Sequence, residues 1–173
     1  MRPVVGLDLS MTSTGVAWLP DSATRVRTDP GRWPDEVERL MHIRSSVIAL
    51  VTEQGRNSLV VVEGLSYGSH SAGSATRAGL HYLVRASLRQ LGMTEIVVPP
   101  ATLKKFVTGS GAAPKSLMVS TASLALGRTV SSDDVADALG LVAFGCALLR
   151  QAGPFGPLAA HQERTIERFE AKP

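Results

Sequence analysis

"VVGLDLSMTSTGVAWL", at residues 4–19, decides the fold, because a short polar turn joins two apolar, β-rich runs. A third run follows, so the sequence predicts an antiparallel meander of short strands at residues 3–9, 14–19 and 24–28. The first strand ends in an acid, Asp8, set among apolar residues. Burial of a carboxylate in a strand costs free energy unless another group compensates its charge. The role of Asp8 therefore depends on residues in other parts of the chain.

The rest of the chain alternates helical and strand patterns. Residues 34–55 show apolar residues at helical spacing and end in Gly55, and the β-branched run "SLVVVEG" at residues 58–64 predicts a strand covered on both faces. Five further elements are expected: a helix at residues 75–91, a strand at 95–100, short helices at 103–107 and 115–126, and a helix at 133–150. This order predicts an α/β fold with a mixed central sheet, antiparallel in its first three strands and flanked by helices.

Length and composition indicate one globular domain, since the chain has 173 residues, of which 44% are hydrophobic and 19% charged. We expect the domain at residues 1–150 and a tail at residues 151–173 that attaches loosely as a helix. The single cysteine, Cys146, has no partner for a disulfide or a cysteine metal cluster. No signal peptide and no apolar run of the ~20 residues that a membrane span needs is evident, so we expect a cytoplasmic protein without a membrane partner.

Four acids stand where their carboxylates can converge. Asp8 and Glu63 each end a strand, so both emerge at one edge of the sheet if those strands are parallel neighbours. Asp134 and Asp137 share one face of the last long helix, beside the apolar stripe that faces the sheet. Any one of these acids has an ordinary structural explanation, such as a helix cap, a turn or an ion pair. Asp137 is the hardest to explain in that way, because it lies beyond the first helical turn and on the core-facing side.

Crowded carboxylates repel one another and raise each other's pKa, and divalent cations remove that penalty. Hard oxygen ligands of this kind suit Mg²⁺, with Mn²⁺ as a substitute. Two such ions can support phosphodiester hydrolysis, because they activate water and stabilise the leaving oxygen.

The ordered motifs resemble the RuvC-type Holliday junction resolvases of bacteria and phages, which belong to the ribonuclease H-like superfamily. The similar segments, within about residues 3–150, are "GLDLSMTSTG" (6–15), "VVVEG" (60–64), "PPATLKKFVTGSGAAPK" (99–115) and "DDVADALGLVAF" (133–144). The resemblance implies a ribonuclease H-like nuclease domain that cleaves four-way or related branched DNA. It also implies a homodimer, since a four-way junction has two-fold symmetry and needs paired cuts. The metal-binding catalytic set that it implies is Asp8, Glu63, Asp134 and Asp137.

The resemblance also selects basic residues. Lys104 and Lys115 match two functionally important family lysines by spacing, and a lysine near the scissile phosphate can neutralise transition-state charge. The other candidates for DNA contact are Tyr67, Arg77, Arg85, Arg89 and Lys105. The arginines form a stripe on one helix, for which a solvated face is the ordinary explanation and a track for DNA phosphates the more specific one. The net charge of +3 and the pI near 9.4 fit a polyanionic partner but are common in other proteins.

Two other functions fit parts of the pattern. The opening strand, turn and strand are also similar to those of phosphotransferases and ATPases of the actin and sugar-kinase type. Those proteins need a later Gly-rich phosphate loop and a second similar domain, for which this chain is too short. The other alternative is a catalytically inactive DNA-binding module of the same fold, against which the four retained acids argue. A nuclease assay with and without Mg²⁺ separates these three functions.

Overall fold

A computed structural model describes residues 1–66 and 73–171, which form five strands and six helices. The strands are β1 (Val4–Asp8), β2 (Ser13–Trp18), β3 (Ser22–Arg27), β4 (Leu59–Glu63) and β5 (Thr94–Val98). The helices are α1 (Glu36–Glu53), α2 (Ser74–Gln90), α3 (Pro100–Thr108), α4 (Lys115–Leu126), α5 (Asp133–Leu148) and α6 (Ala160–Glu170). Within these ranges no helix is both long enough and apolar enough to cross a membrane.

The strands form one sheet in the order β3-β2-β1-β4-β5. β1, β2 and β3 pair antiparallel, whereas β4 runs parallel to both β1 and β5. The predicted α/β class, with a mixed sheet whose first three strands are antiparallel, is therefore confirmed. Because β1 and β4 are parallel neighbours, Asp8 and Glu63 both stand at the edge where these strands end, here called the carboxyl edge.

Helix α5 is packed more deeply than the sequence pattern predicts. One apolar stripe was expected, yet every residue from Val135 to Ala147 is buried except Asp137. The sheet covers one side of α5, while α3, α4 and α6 cover the others. The stripe prediction was too narrow because α5 is the central helix of the domain and not a helix at its surface.

Two glycines let α5 lie directly on the sheet. A Cβ atom at Gly6 would stand 2.1 Å from the backbone oxygen of Ala138, and one at Gly15 would stand 2.1 Å from that of Asp134. Any side chain at either position would push the helix away from β1 and β2. This close approach brings the first turns of α5 to the carboxyl edge.

The tail is packed firmly, contrary to the expected loose attachment. Helix α6 lies against α3 and α5, Ile166 is fully buried, and the ring of Phe169 meets that of Phe144 edge-to-face at 5.0 Å between centroids. The mixed charge of the segment hides an amphipathic pattern, in which Thr165, Ile166 and Phe169 share one face of the helix. The division of the chain at residue 150 itself stays a prediction.

Candidate metal centre

Three carboxylates converge at the carboxyl edge. Asp8 ends β1, Glu63 ends β4, and Asp137 comes from the second turn of α5. One carboxylate oxygen from each residue lies within 4.8 Å of the others. Parallel pairing of β1 with β4 supplies the first two acids, and the contact of α5 with the sheet supplies the third.

Asp134 borders this cluster. It lines the same cleft as the three converging acids, and the hydroxyl of Ser13 donates a hydrogen bond to its Oδ2 at 2.6 Å. The structure thus brings three of the predicted acids together and places the fourth at their margin, where a β2 side chain orients its carboxylate.

A cleft of about 240 Å³ opens above the acids, and basic side chains line its other walls. Arg77 and His81 enter it from α2, Lys104 from α3 and Lys115 from the start of α4. Three cations expected to contact DNA, namely Arg77, Lys104 and Lys115, are therefore neighbours of the carboxylates. Such a cleft can accept a phosphate group, because the cations attract its negative charge. The repulsion between the phosphate and the carboxylates has to be removed as well.

The carboxylates hold protons far more tightly than ordinary acids. Burial, followed by the charges of Glu63 and Asp137, raises the pKa of Asp8 well above its usual value. Burial, followed by the charge of Glu63, raises the pKa of Asp137 to about 7. Burial also raises the pKa of Glu63, although a hydrogen bond with Asp8 and the nearby cations oppose that shift. Without a compensating charge, the cluster therefore shares protons near neutral pH.

The donor set fits a hard divalent cation. Within residues 1–66 and 73–171, Oδ1 of Asp137 is buried and has no hydrogen-bond partner, so one acceptor atom of this residue is unused. Carboxylate oxygens are the ligands that hard divalent cations prefer, and a cation would satisfy this atom while it removes the repulsion among the acids. The cluster can therefore hold a metal ion.

Lys115 contacts an acid that the sequence patterns did not select. Its ammonium donates to Oδ2 of Asp133, the first residue of α5. This contact raises the pKa of Lys115 and lowers that of Asp133. The side chain of Lys115 is 76% exposed, so the ion pair is worth little and its ammonium can move to another partner.

His81 is a second residue whose role sequence reasoning missed. Its Nε2 lies 3.1 Å from the backbone oxygen of Glu63, and because a carbonyl only accepts, Nε2 carries the proton. The side chain is buried, and burial lowers its pKa, so the ring is neutral. His81 therefore fixes the end of β4 from α2. Its position four residues after Arg77, on the same face of α2, was the available signal.

The rest of that stripe turns away from the cleft. Arg85 and Arg89 both bind Glu95, with Nη2 to Oε1 distances of 3.0 and 2.8 Å. Glu95 is 5% exposed and belongs to the start of β5, at the end of the sheet opposite the carboxyl edge. The three residues form an ion-pair network that fastens α2 to β5. Contact of these two arginines with DNA stays a prediction. A DNA phosphate would have to compete with Glu95 for both side chains.

Two other candidates for DNA contact lie elsewhere. Lys105 faces a separate cavity between α3 and α6, with Arg168 on its other side. Tyr67 lies outside the residues that the structure describes.

Removal of divalent cations should make stability fall as pH rises. The raised pKa values of Asp8, Glu63 and Asp137 mean that the folded protein binds more protons than the unfolded chain between about pH 4 and pH 7. The stabilising contribution is complete below this window and is lost as pH rises through it. In EDTA, we expect a higher melting temperature at about pH 5.5 than at about pH 8. Mg²⁺ should raise it chiefly at the higher pH.

Asp137→Asn is the matched control, since an amide cannot titrate and the difference between the two pH values should shrink. A metal-free melting temperature that rises with pH in the original protein would contradict the electrostatic description of the cluster.

Two proteins named as crossover junction endodeoxyribonucleases match this chain in sequence, although no family model matches it. The crossover junction endodeoxyribonuclease RuvC of Salinispora arenicola (strain CNS-205) is 34% identical over 154 residues, which covers 80% of this chain and 83% of that protein. A protein of the same name from Anaeromyxobacter sp. (strain Fw109-5) is 41% identical over 68 residues, 39% of this chain and 32% of its own length.

Solved structures agree on the fold. The Thermus thermophilus RuvC structure matches with a TM-score of 0.66 at 18% identity, over 98% of this chain and 97% of that one. T. thermophilus RuvC in complex with Holliday junction substrate matches with a TM-score of 0.65 at 20% identity, over 82% and 90% of the two chains. The structural match supports the fold, and the extent of the match to the Salinispora protein shows the relationship: this chain belongs to the RuvC family of crossover junction endodeoxyribonucleases.

Proposed function

We propose that this chain is a structure-selective DNA endonuclease that cleaves Holliday junctions or related branched DNA by metal-dependent phosphodiester hydrolysis. The observation that carries the proposal is the convergence of Asp8, Glu63 and Asp137 beneath a basic cleft in a RuvC-family fold. The name of the Salinispora relative supports the reaction, and the T. thermophilus complex supports the substrate. Membership of this family decides against the sugar-kinase alternative.

We propose Mg²⁺ as the ion, with Mn²⁺ as a substitute, in a two-ion site. Asp8, Glu63 and Asp137 would hold the metal, and Asp134 would complete the set from the margin of the cluster. When bound, such ions supply an activated water and neutralise charge on the phosphate oxygens. The hydrogen bond from Ser13 keeps Asp134 oriented, and the hydrogen bond from His81 fixes the backbone that carries Glu63.

Lys104 and Lys115 would position the scissile phosphate. Both line the cleft, and the charges of both oppose the burial that raises the pKa of Glu63. A phosphate oxygen that becomes more negative in the transition state gains more from these cations than the ground-state phosphate does. The exposed pair between Lys115 and Asp133 leaves the Lys115 ammonium free to exchange its partner for the incoming phosphate.

We also propose a homodimer, because a four-way junction presents two equivalent strands for cleavage. The outer faces of α1 and α2 offer surface for a partner. Val37, Met41 and Tyr82 are 66%, 46% and 57% exposed there, more apolar surface than these helices need for their own packing.

Digestion of synthetic DNAs tests the proposed reaction. A four-way junction should be cut faster than a three-way junction, a flap or a linear duplex of the same sequence. Mg²⁺ and Mn²⁺ should support cleavage, whereas Ca²⁺ should permit binding with little turnover, because its looser coordination positions water poorly. Undiminished cutting in excess EDTA would contradict the metal mechanism. Junction binding without cleavage in either Mg²⁺ or Mn²⁺ would identify an inactive binding module instead.

Lys115→Ala should separate rate from affinity. With enzyme in excess over junction, the cleavage rate should fall by one or more orders of magnitude, roughly the effect of losing one group that stabilises transition-state charge. Binding in Ca²⁺ should change little, and Lys115→Arg should restore part of the rate. Lys105→Ala provides the contrast, because a side chain outside the cleft can affect affinity but not the chemical step. Equal losses of rate and affinity in Lys115→Ala would show that Lys115 makes only a general phosphate contact.

A further inference from the structure

A second basic groove runs along β3, the edge strand of the sheet. It has a volume of about 470 Å³ and lies between β3 and the segment that joins α4 to α5. Arg25, Arg27 and Arg128 line it together with threonine and serine side chains, and no acidic side chain of the described residues is among its walls. We call it the arginine groove. The sequence patterns drew attention to none of these arginines.

The positive charge of the groove is largely uncompensated. Within the described ranges, neither Arg25 nor Arg27 forms an ion pair. Arg128 pairs with Asp21, because its guanidinium donates to the backbone oxygen of Asp21 and its Nε lies 3.4 Å from the Asp21 carboxylate. That pair is exposed and neutralises little of the charge. An anionic ligand in the groove would remove the repulsion among the arginines.

The groove begins beside the metal centre. In the sheet, Arg27 is the partner of Ser13 and Arg25 is the partner of Gly15. Ser13 holds the Asp134 carboxylate, and Gly15 touches the Asp134 backbone. Since neighbouring strands are about 4.8 Å apart, the two arginines lie one strand beyond the residues that place Asp134.

The groove leads away from that centre along β3. Arg27 stands at the carboxyl edge, and Arg128 marks the opposite end, since Asp21 directly precedes β3. Side chains two residues apart on a strand project from the same face with a separation of about 6.6 Å. Arginine is also the residue that binds phosphate oxygens through two parallel hydrogen bonds.

We infer that the arginine groove binds the phosphodiester backbone of one arm of the branched DNA and guides it away from the metal centre. The inference rests on the proposed function, since its ligand is the same substrate. Lys104, Lys115 and Arg77 line the cleft itself, so a backbone leaving the cleft over β2 meets a second set of cations on β3. Contacts of this kind hold an arm of the junction and add affinity, while the cations of the cleft itself lie beside the carboxylates.

The test compares the double variant Arg25→Gln, Arg27→Gln with Arg56→Gln. Arg56 is exposed and lies in the turn before β4, at the other end of the sheet, so its variant controls for the loss of surface charge. A fluorescent synthetic four-way junction in Ca²⁺ is the probe, and affinity is measured over a series of salt concentrations. The double variant should bind about tenfold more weakly. The slope of log affinity against log salt concentration should become shallower by roughly two units, because two fewer phosphates are neutralised. Arg56→Gln should match the original protein in both measurements.

Cleavage in Mg²⁺ with enzyme in excess keeps the inference distinct from the proposed function. The original protein has to bind and cut the junction, and failure there would overturn the function itself. If it does cut, the double variant should reach at least half the original rate once the junction is fully bound. Unchanged affinity and salt dependence in the double variant, with normal cutting by the original protein, would overturn the inference alone. If the double variant melts early, the single variant Arg27→Gln replaces it, because it changes an exposed side chain. Its slope of log affinity against log salt concentration should become shallower by about one unit.

Discussion

Repulsion among the half-buried carboxylates at the carboxyl edge is the constraint on which the rest of the structure depends. Asp8, Glu63 and Asp137 each gain a raised pKa from burial, and their mutual charges add to the effect for Asp8 and Asp137. A fold selected only for stability would place apolar side chains there. The cluster makes sense as a cation site, and the cations of the cleft then serve the phosphate that the metal and the acids act upon.

The scaffold keeps this costly arrangement rigid. Parallel pairing of β1 with β4 fixes two of the acids, and the glycine contacts of Gly6 and Gly15 bring α5 close enough to add Asp137. The packing of α3, α4 and α6 around α5 prevents the helix from retreating to relieve the repulsion. The packing of the central helix therefore stabilises a site that is unfavourable by itself.

Patterns local in sequence were sufficient for the elements and for much of the site. Strand ends predicted that Asp8 and Glu63 would meet, and the helical period placed Asp137 on the inner face of α5. Features that depend on partners distant in sequence escaped prediction. The pairing of Arg85 and Arg89 with Glu95 requires the position of β5, and the bond from Ser13 to Asp134 joins residues 121 positions apart. Arg25 and Arg27 were overlooked because alternating charges are the normal composition of an exposed edge strand. The mixed charge of the tail conceals the face of α6 that packs on the core.

Cleavage of a four-way junction by Asp8→Asn in Mg²⁺ tests the central claim most directly, provided that the metal-free melting temperature is measured on the same preparation. Asparagine is nearly isosteric with aspartate and removes one of the repelling charges, so the variant should melt at or above the temperature of the original protein. Its cleavage should be nearly abolished, because a neutral amide holds a divalent cation far less well. A folded Asp8→Asn protein that cuts at a near-original rate would contradict the account, as would a variant that loses stability yet keeps its activity.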